Sequence, residues 1–101
     1  MTWTKVTSLE DLKKAGRIAL SHSQQNILIM WHQNGAHAIE NSCSHLKKPL
    51  TEGVLENCVL TCPFHGANFS IETGETLSPP AVSPIRVIEC RINNENIELD
   101  L

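Results

Sequence analysis

The strongest constraint on this chain is a pair of short motifs that each combine one cysteine with one histidine. Cys43 and His45 are separated by a single residue, and Cys62 and His65 are separated by two. Sixteen residues, 46–61, lie between the motifs, enough for a β-hairpin that returns the second motif beside the first. Two thiolates and two imidazoles could then meet at one metal centre.

Two kinds of metal centre use two cysteines and two histidines. A structural zinc site is tetrahedral and closed, and zinc motifs commonly pair two cysteines and then two histidines. A two-iron cluster of mixed ligation has both cysteines on one iron and both histidines on the other. Because each motif here holds one residue of each type, the pattern favours the two-iron cluster. A zinc-stabilised interaction domain stays the alternative.

The motifs and their flanks resemble the Rieske iron–sulfur family, in particular the small Rieske-type ferredoxins of bacterial aromatic-ring dioxygenase systems. The small subunit of NAD(P)H nitrite reductase is similar in layout. The resemblance covers nearly the whole chain. It includes the segments CPFHGANF at 62–69, TGE at 73–75 and SPPA at 78–81.

The resemblance implies a fold of the all-β class with one Rieske domain over residues 1–101. The base would be an antiparallel β-sandwich or barrel formed by about residues 1–37 and 78–101. A cluster-binding subdomain of about residues 38–77 would be inserted into this base.

The resemblance also implies a cofactor and its ligands. One [2Fe–2S] cluster per chain would be bound by Cys43, His45, Cys62 and His65. The two cysteines would be the more buried ligands, and the two histidines would lie near the surface.

Four positions set this chain apart from the high-potential Rieske proteins of cytochrome bc complexes. Where those proteins have a disulfide between the two loops, this chain has Lys48 and Phe64. Where they have a serine and a tyrosine that donate hydrogen bonds to sulfur, it has Ala67 and Phe69. Fewer donors destabilise the more negative reduced cluster. We therefore expect a reduction potential near the bottom of the roughly −150 to +300 mV Rieske range.

The hydrophobic pattern agrees with a small β protein. A chain of 101 residues suffices for one apolar core, and short apolar runs between turn residues predict strands. Hairpin turns are predicted at 34–35 and 56–57, and one continuous strand is predicted over 85–92. A short helix is predicted between an N-cap at Ser8 and a stop at Gly16.

Charge and hydropathy argue against several classes of partner. The net charge is −3 without any basic run, which disfavours nucleic acid and anionic membranes. The longest apolar run, 27–31, is far shorter than the ~20 residues of a membrane helix. No secretion signal is visible, so we expect a cytoplasmic protein. Cys58 and Cys90 lie outside the motifs and are expected to be reduced structural thiols.

We expect a one-electron carrier that is not an enzyme by itself, because the sequence has no nucleophile paired with a base and no phosphate-binding loop. By resemblance, it would accept electrons from an NAD(P)H-dependent flavoprotein reductase. It would pass them to a terminal oxygenase in transient complexes, and we expect it to be a monomer. The alternative is the small Rieske subunit of an NAD(P)H nitrite reductase or of a similar oxidoreductase complex.

Overall fold

The computed structural model describes residues 2–43, 48–64, 66–77 and 83–101 of the chain. These residues form β-strands and one short helix. In chain order they are β1 (Trp3–Ser8), α1 (Leu9–Ala15), β2 (Arg17–His22), β3 (Gln25–His32), β4 (Gly35–Glu40), β5 (Val54–Glu56), β6 (Val59–Thr61), β7 (Asn68–Ser70), β8 (Val87–Ile88), β9 (Cys90–Asn93) and β10 (Asn96–Asp100).

The strands pair into three sheets. The largest has the order β2-β3-β4-β8, the second β1-β10-β9 and the third β5-β6-β7. Within each sheet of the described residues, every pair of neighbouring strands is antiparallel. The predicted all-β class is confirmed. Within the described ranges, no helix has the length and apolar character needed to cross a membrane.

Strand β3 separates two apolar cores. Its residues Ile27, Leu28, Ile29 and Met30 are all fully buried. Because successive side chains of a strand point to opposite faces, Ile27 and Ile29 pack into one core while Leu28 and Met30 pack into the other. A continuous apolar run is typical of a strand that is covered on both faces.

The two cores are formed by different parts of the chain. The first, here called the base core, joins the helix to β3, β4, β8 and β10 through Leu12, Ile27, Ile29, Ala38, Ile88, Ile97 and Leu99. The second, here called the site core, contains both motif cysteines. Its buried members are Leu28, Met30, Ile39, Cys43, Leu50, Leu60, Cys62, Ala67, Phe69, Ile71 and Ile85. Each fully buried aliphatic side chain contributes about 1.5–3 kcal/mol, so β3 stabilises both cores strongly.

The helix has the ends that the sequence predicts. The Ser8 Oγ accepts a hydrogen bond from the Asp11 N–H at 3.1 Å, which satisfies a backbone donor of the first turn. At the other end Gly16 has a φ of 80° and its N–H donates to the Leu12 carbonyl at 2.8 Å. Between these ends Leu12 is fully buried in the base core.

Two predicted turns are wrong by one residue. The turn residues are Gln33 and Asn34 in the β3–β4 hairpin, and Asn57 and Cys58 in the β5–β6 hairpin. Their φ angles are 51°, 59°, 50° and 63° in that order. A two-residue type I′ turn requires positive φ at both positions. Asparagine tolerates this conformation at either position, so its presence alone does not fix the register.

The single strand predicted over 85–92 is also wrong. The chain forms β8, which pairs with β4, and then β9, which pairs with β10 in another sheet. Glu89 lies between the two strands, and its carbonyl accepts from the Asp100 N–H at 3.0 Å. The apolar run therefore spans the point where the chain leaves one sheet for another.

Gly74 provides a test of how tightly the site core is closed. Its φ is 81°, and a Cβ at this position would collide with the carbonyl oxygen of Ile85. Gly16 has nearly the same φ, 80°, and a Cβ there would meet nothing within 4 Å. We expect Gly74→Ala to cost about 2–4 kcal/mol of stability and Gly16→Ala about 1 kcal/mol.

Thermal unfolding followed by circular dichroism measures both effects. The Gly16→Ala variant controls for the backbone conformation, so the difference between the two midpoints reports the close approach of residues 74 and 85. Equal decreases in Tm would contradict the close packing described here.

Candidate metal centre

The two motif cysteines reach one buried region from different sheets. Cys43 lies three residues after β4 of the largest sheet, and Cys62 directly follows β6 of the third sheet. Their exposed fractions are 0% and 2%, and both belong to the site core. Both cysteines are thus buried, as expected, and their burial relative to the two histidines stays a prediction.

The backbone closes in the same way at both cysteines. The Cys43 N–H donates to the Lys48 carbonyl at 2.7 Å, and the Cys62 N–H donates to the Ala67 carbonyl at 2.7 Å. In each case the acceptor lies five residues further along the chain. The Gly66 N–H also donates to the Cys62 carbonyl, at 3.0 Å. The two cysteines are thus held by matching backbone arrangements.

The surroundings of the cysteines are apolar. Ala67 and Phe69 are fully buried in the same core, and neither side chain carries a hydrogen-bond donor. Two thiolates are soft ligands suited to iron or zinc, and a hydrophobic shell limits the access of water. The described residues therefore fit the cysteine half of a [2Fe–2S] site.

His45 and His65 lie outside the described residues. The structure therefore brings two of the four predicted ligands together, Cys43 and Cys62. The predicted covering loop at Pro79 and Pro80 also lies outside the described residues.

A polar network behind the first motif was not predicted. The side chains of Arg17 and Asn41 form hydrogen bonds with groups of residues 50, 51 and 53. These bonds join residues that are 9 to 36 positions apart. The only local signal is a polar residue directly after β4, because an asparagine there often bonds to nearby backbone.

A protein-family model indicates which kind of metal centre this chain holds. The model for the Rieske [2Fe-2S] domain matches residues 2–89. The chain belongs to the Rieske [2Fe–2S] domain family. This result confirms the expected family and, with it, the expected [2Fe–2S] cofactor in place of zinc.

Individual relatives narrow the subclass of Rieske protein. The chain is 30% identical over 101 residues to the biphenyl dioxygenase ferredoxin subunit of Pseudomonas sp. (strain KKS102), covering 99% of this chain and 93% of that protein. It is 26% identical, with a TM-score of 0.87, to a chain in the complex of reduced oxygenase and oxidised ferredoxin of carbazole 1,9a-dioxygenase, covering 96% and 91% of the two chains. The predicted resemblance to Rieske-type ferredoxins is confirmed. These names also confirm an electron-transfer protein rather than a catalyst.

The nitrite reductase alternative has support from the fold alone. A protein described as the small subunit of an NADPH nitrite reductase superposes with a TM-score of 0.85 over 100% of both chains. Its sequence identity is 13%. The two proteins therefore share the Rieske fold.

Lys48 and Phe64 stand where the cytochrome bc type of Rieske protein has its interloop disulfide, and here the two side chains contact each other. The Lys48 ammonium lies 5.7 Å from the centre of the Phe64 ring. Both side chains are exposed, Phe64 to 52%. An exposed cation–π contact contributes about 0.5–1 kcal/mol, so it ties the two loops only weakly.

The other two cysteines, Cys58 and Cys90, lie in different surroundings in this Rieske protein. The Cys58 N–H donates to His32 Nε2 at 3.0 Å, and its Sγ contacts Gln33 Oε1 at 3.2 Å. Cys90 packs against the base core. No disulfide joins Cys58 and Cys90 in the structure, and their expected role as reduced structural thiols stays a prediction.

Both of these thiols are predicted to be poor nucleophiles at neutral pH. Burial raises the pKa of Cys90 to about 11. Partial burial, and then the nearby Glu72 carboxylate, raise the pKa of Cys58. Only the thiolate reacts, so we expect Cys90 to resist iodoacetamide at pH 7.5. Its modification should increase as the pH rises toward 11.

Peptide mass mapping after timed alkylation measures the modification of each cysteine. The unfolded protein is the control, because both thiols should then react at the rate of a free cysteine. Rapid alkylation of Cys90 in the folded protein at pH 7.5 would show that its surroundings are misassigned.

Proposed function

We propose that this Rieske protein is a one-electron carrier of an aromatic-ring oxygenase system, with its cluster bound by Cys43, His45, Cys62 and His65. The observation that carries the proposal is the burial of both motif cysteines in one apolar core, at matching backbone positions. When bound, the [2Fe–2S] cluster supplies a one-electron redox couple.

The ligand assignment follows from the chemistry of the donors. Two cysteines hold one iron and two histidines hold the other in a Rieske centre. Cys62 is buried, whereas Phe64 and Gly66, the neighbours of His65, are exposed. This gradient supports an arrangement in which the cysteines face the core and the histidines face outward. The exposed side would then be where a redox partner approaches.

We also propose the domain division. The sheet β5-β6-β7 and both motifs lie within about residues 38–77, the cluster-binding subdomain. The base would contain the other two sheets from about residues 1–37 and 78–101. In the observed pairing, the boundary falls in the middle of β4: residues 35–37 precede the proposed subdomain and residues 38–40 lie within it.

The partners follow from the relatives. The carbazole dioxygenase complex pairs a ferredoxin with an oxygenase, which supports a terminal oxygenase as the electron acceptor here. An NAD(P)H-dependent flavoprotein reductase would be the donor. Transient binding, a monomeric state and a cytoplasmic location complete the proposal. The nitrite reductase role is less supported, because the corresponding likeness is confined to the fold.

The reduction potential is proposed to be low for a Rieske centre. Ala67 and Phe69 are buried beside the cysteines and cannot donate hydrogen bonds from their side chains. Donors to cluster sulfur stabilise the reduced state, which carries one more negative charge. Their lack supports a midpoint near the bottom of the roughly −150 to +300 mV range.

Single substitution of each proposed ligand should abolish cluster binding. Iron and sulfide bound per chain, measured after anaerobic purification, should fall close to zero, because removing one ligand leaves an iron incompletely coordinated. The variants are Cys43→Ser, His45→Ala, Cys62→Ser and His65→Ala.

Matched controls come from residues outside the motifs. Cys58→Ser and His22→Ala make the same chemical changes and should retain the iron and sulfide content of the unaltered protein. Full cluster content in any one of the four ligand variants would rule out that residue as a ligand.

Restoring hydroxyl groups should raise the midpoint potential. Ala67→Ser and Phe69→Tyr should each raise it by roughly 65–130 mV, the one-electron equivalent of about 1.5–3 kcal/mol for a hydrogen bond to a charged group. Potentiometric titration monitored by visible absorbance measures the shift. Phe64→Tyr adds the same hydroxyl at an exposed site and should leave the potential unchanged. A midpoint of the unaltered protein well above zero would contradict a low-potential centre.

A further inference from the structure

We propose that Arg17 and Asn41 are positioning residues that tie both cluster loops to the largest sheet. They act through the tight turn at residues 50–53, here called the tether turn. The inference rests on the proposed ligands Cys43 and Cys62. Neither Arg17 nor Asn41 is itself a ligand in the proposal.

Arg17 holds the tether turn from the start of β2. Its Nη1 donates to the Thr51 carbonyl at 2.7 Å and to the Gly53 carbonyl at 2.8 Å. Both bonds are partly buried. The sequence separation between donor and acceptor is 34 positions for the first bond and 36 for the second. Hydrogen bonds from a charged donor are stronger than neutral ones. One guanidinium nitrogen therefore fixes two carbonyls of the turn on the sheet.

Asn41 holds the same turn from the end of β4. Its Oδ1 accepts from the Leu50 N–H at 2.7 Å, and its Nδ2 donates to the Thr51 Oγ1 at 2.7 Å. Its own backbone N–H donates to the Asn26 carbonyl at 2.8 Å. Asn41 thus connects the hairpin formed by β2 and β3 to the turn.

The tether turn in turn contacts both cysteine loops. On one side, Leu50 is fully buried in the site core with Cys43, and the Cys43 N–H donates to the carbonyl of Lys48, two residues earlier. On the other side, Gly53 lies so close to β6 that a Cβ would be 2.5 Å from the Thr61 carbonyl oxygen. Cys62 follows Thr61 directly. Movement of this turn would therefore move the surroundings of both cysteines.

The chemistry of the side chain explains why arginine suits this position. A guanidinium is planar and always charged, and its donors have fixed directions. A lysine ammonium keeps the charge but has no fixed fork. Arg17→Lys should therefore hold the turn less well than arginine and better than a side chain without a donor, such as that in Arg17→Met.

The test measures cluster loss from the holoprotein to an iron chelator under anaerobic conditions. We expect Arg17→Met to lose its visible absorbance roughly tenfold faster than the unaltered protein. The rate for Arg17→Lys should lie between these two rates. Thr51→Val removes only the hydroxyl that accepts from Asn41 and should accelerate the loss by a smaller factor. It also serves as the milder variant if Arg17→Met is poorly folded.

Arg91→Met is the matched control. Arg91 pairs with Glu98 at 2.6 Å and stacks on Trp3 at 4.3 Å, in the sheet β1-β10-β9. The Arg91→Met substitution removes the same charge and the same type of side chain as Arg17→Met. It does so in a different sheet, at a position remote in sequence from Cys43 and Cys62. Its rate of cluster loss should equal that of the unaltered protein.

Hydrogen exchange separates positioning from general destabilisation. In Arg17→Met, faster exchange should be confined to the amides of Leu50, Gly53, Cys43 and Cys62, with the amides of β10 unchanged. Equal cluster-loss rates in Arg17→Met and Arg91→Met, or faster exchange spread over the whole chain, would overturn the inference. A purified protein without a cluster spectrum would instead refute the proposed function, and the local exchange pattern would still test the tether.

Discussion

Burial of strand β3 on both faces is the constraint on which the rest of the structure depends. Four consecutive side chains, Ile27 to Met30, alternate between the base core and the site core. The same strand therefore stabilises the scaffold and the region of the two cysteines. A substitution that weakens one face also shifts the strand that forms the wall of the other.

On this scaffold, the environment of the cysteines is set by the backbone of two loops. The equivalent hydrogen bonds at Cys43 and Cys62 hold the two sulfur-bearing residues in matching positions. The tether turn connects these loops to each other and to the largest sheet. In Rieske relatives with an interloop disulfide, a covalent bond joins the loops, whereas this chain has an exposed contact between Lys48 and Phe64. In our proposal, the hydrogen bonds of Arg17 and Asn41 to the tether turn therefore position these loops.

The sequence predicted the chemistry better than the topology. Two mixed motifs at a restrictive spacing predicted a [2Fe–2S] centre, because few metal centres use such a donor set, and the structure places Cys43 and Cys62 in one buried core. Strands were found because apolar runs alternate with turn residues. The turn registers were missed, since Asn34 and Asn57 fit either turn position. The sheet change at Glu89 and the contacts of Arg17 depend on residues distant in the chain, so no local pattern reveals them.

The electron paramagnetic resonance spectrum of the dithionite-reduced protein tests the central claim most directly, that a [2Fe–2S] cluster is held by mixed cysteine and histidine ligands. We expect a red-brown protein that bleaches on reduction and gives a signal whose average g lies below the free-electron value. A colourless protein that holds one zinc ion per chain, or a reduced signal typical of ligation by cysteine alone, would contradict it.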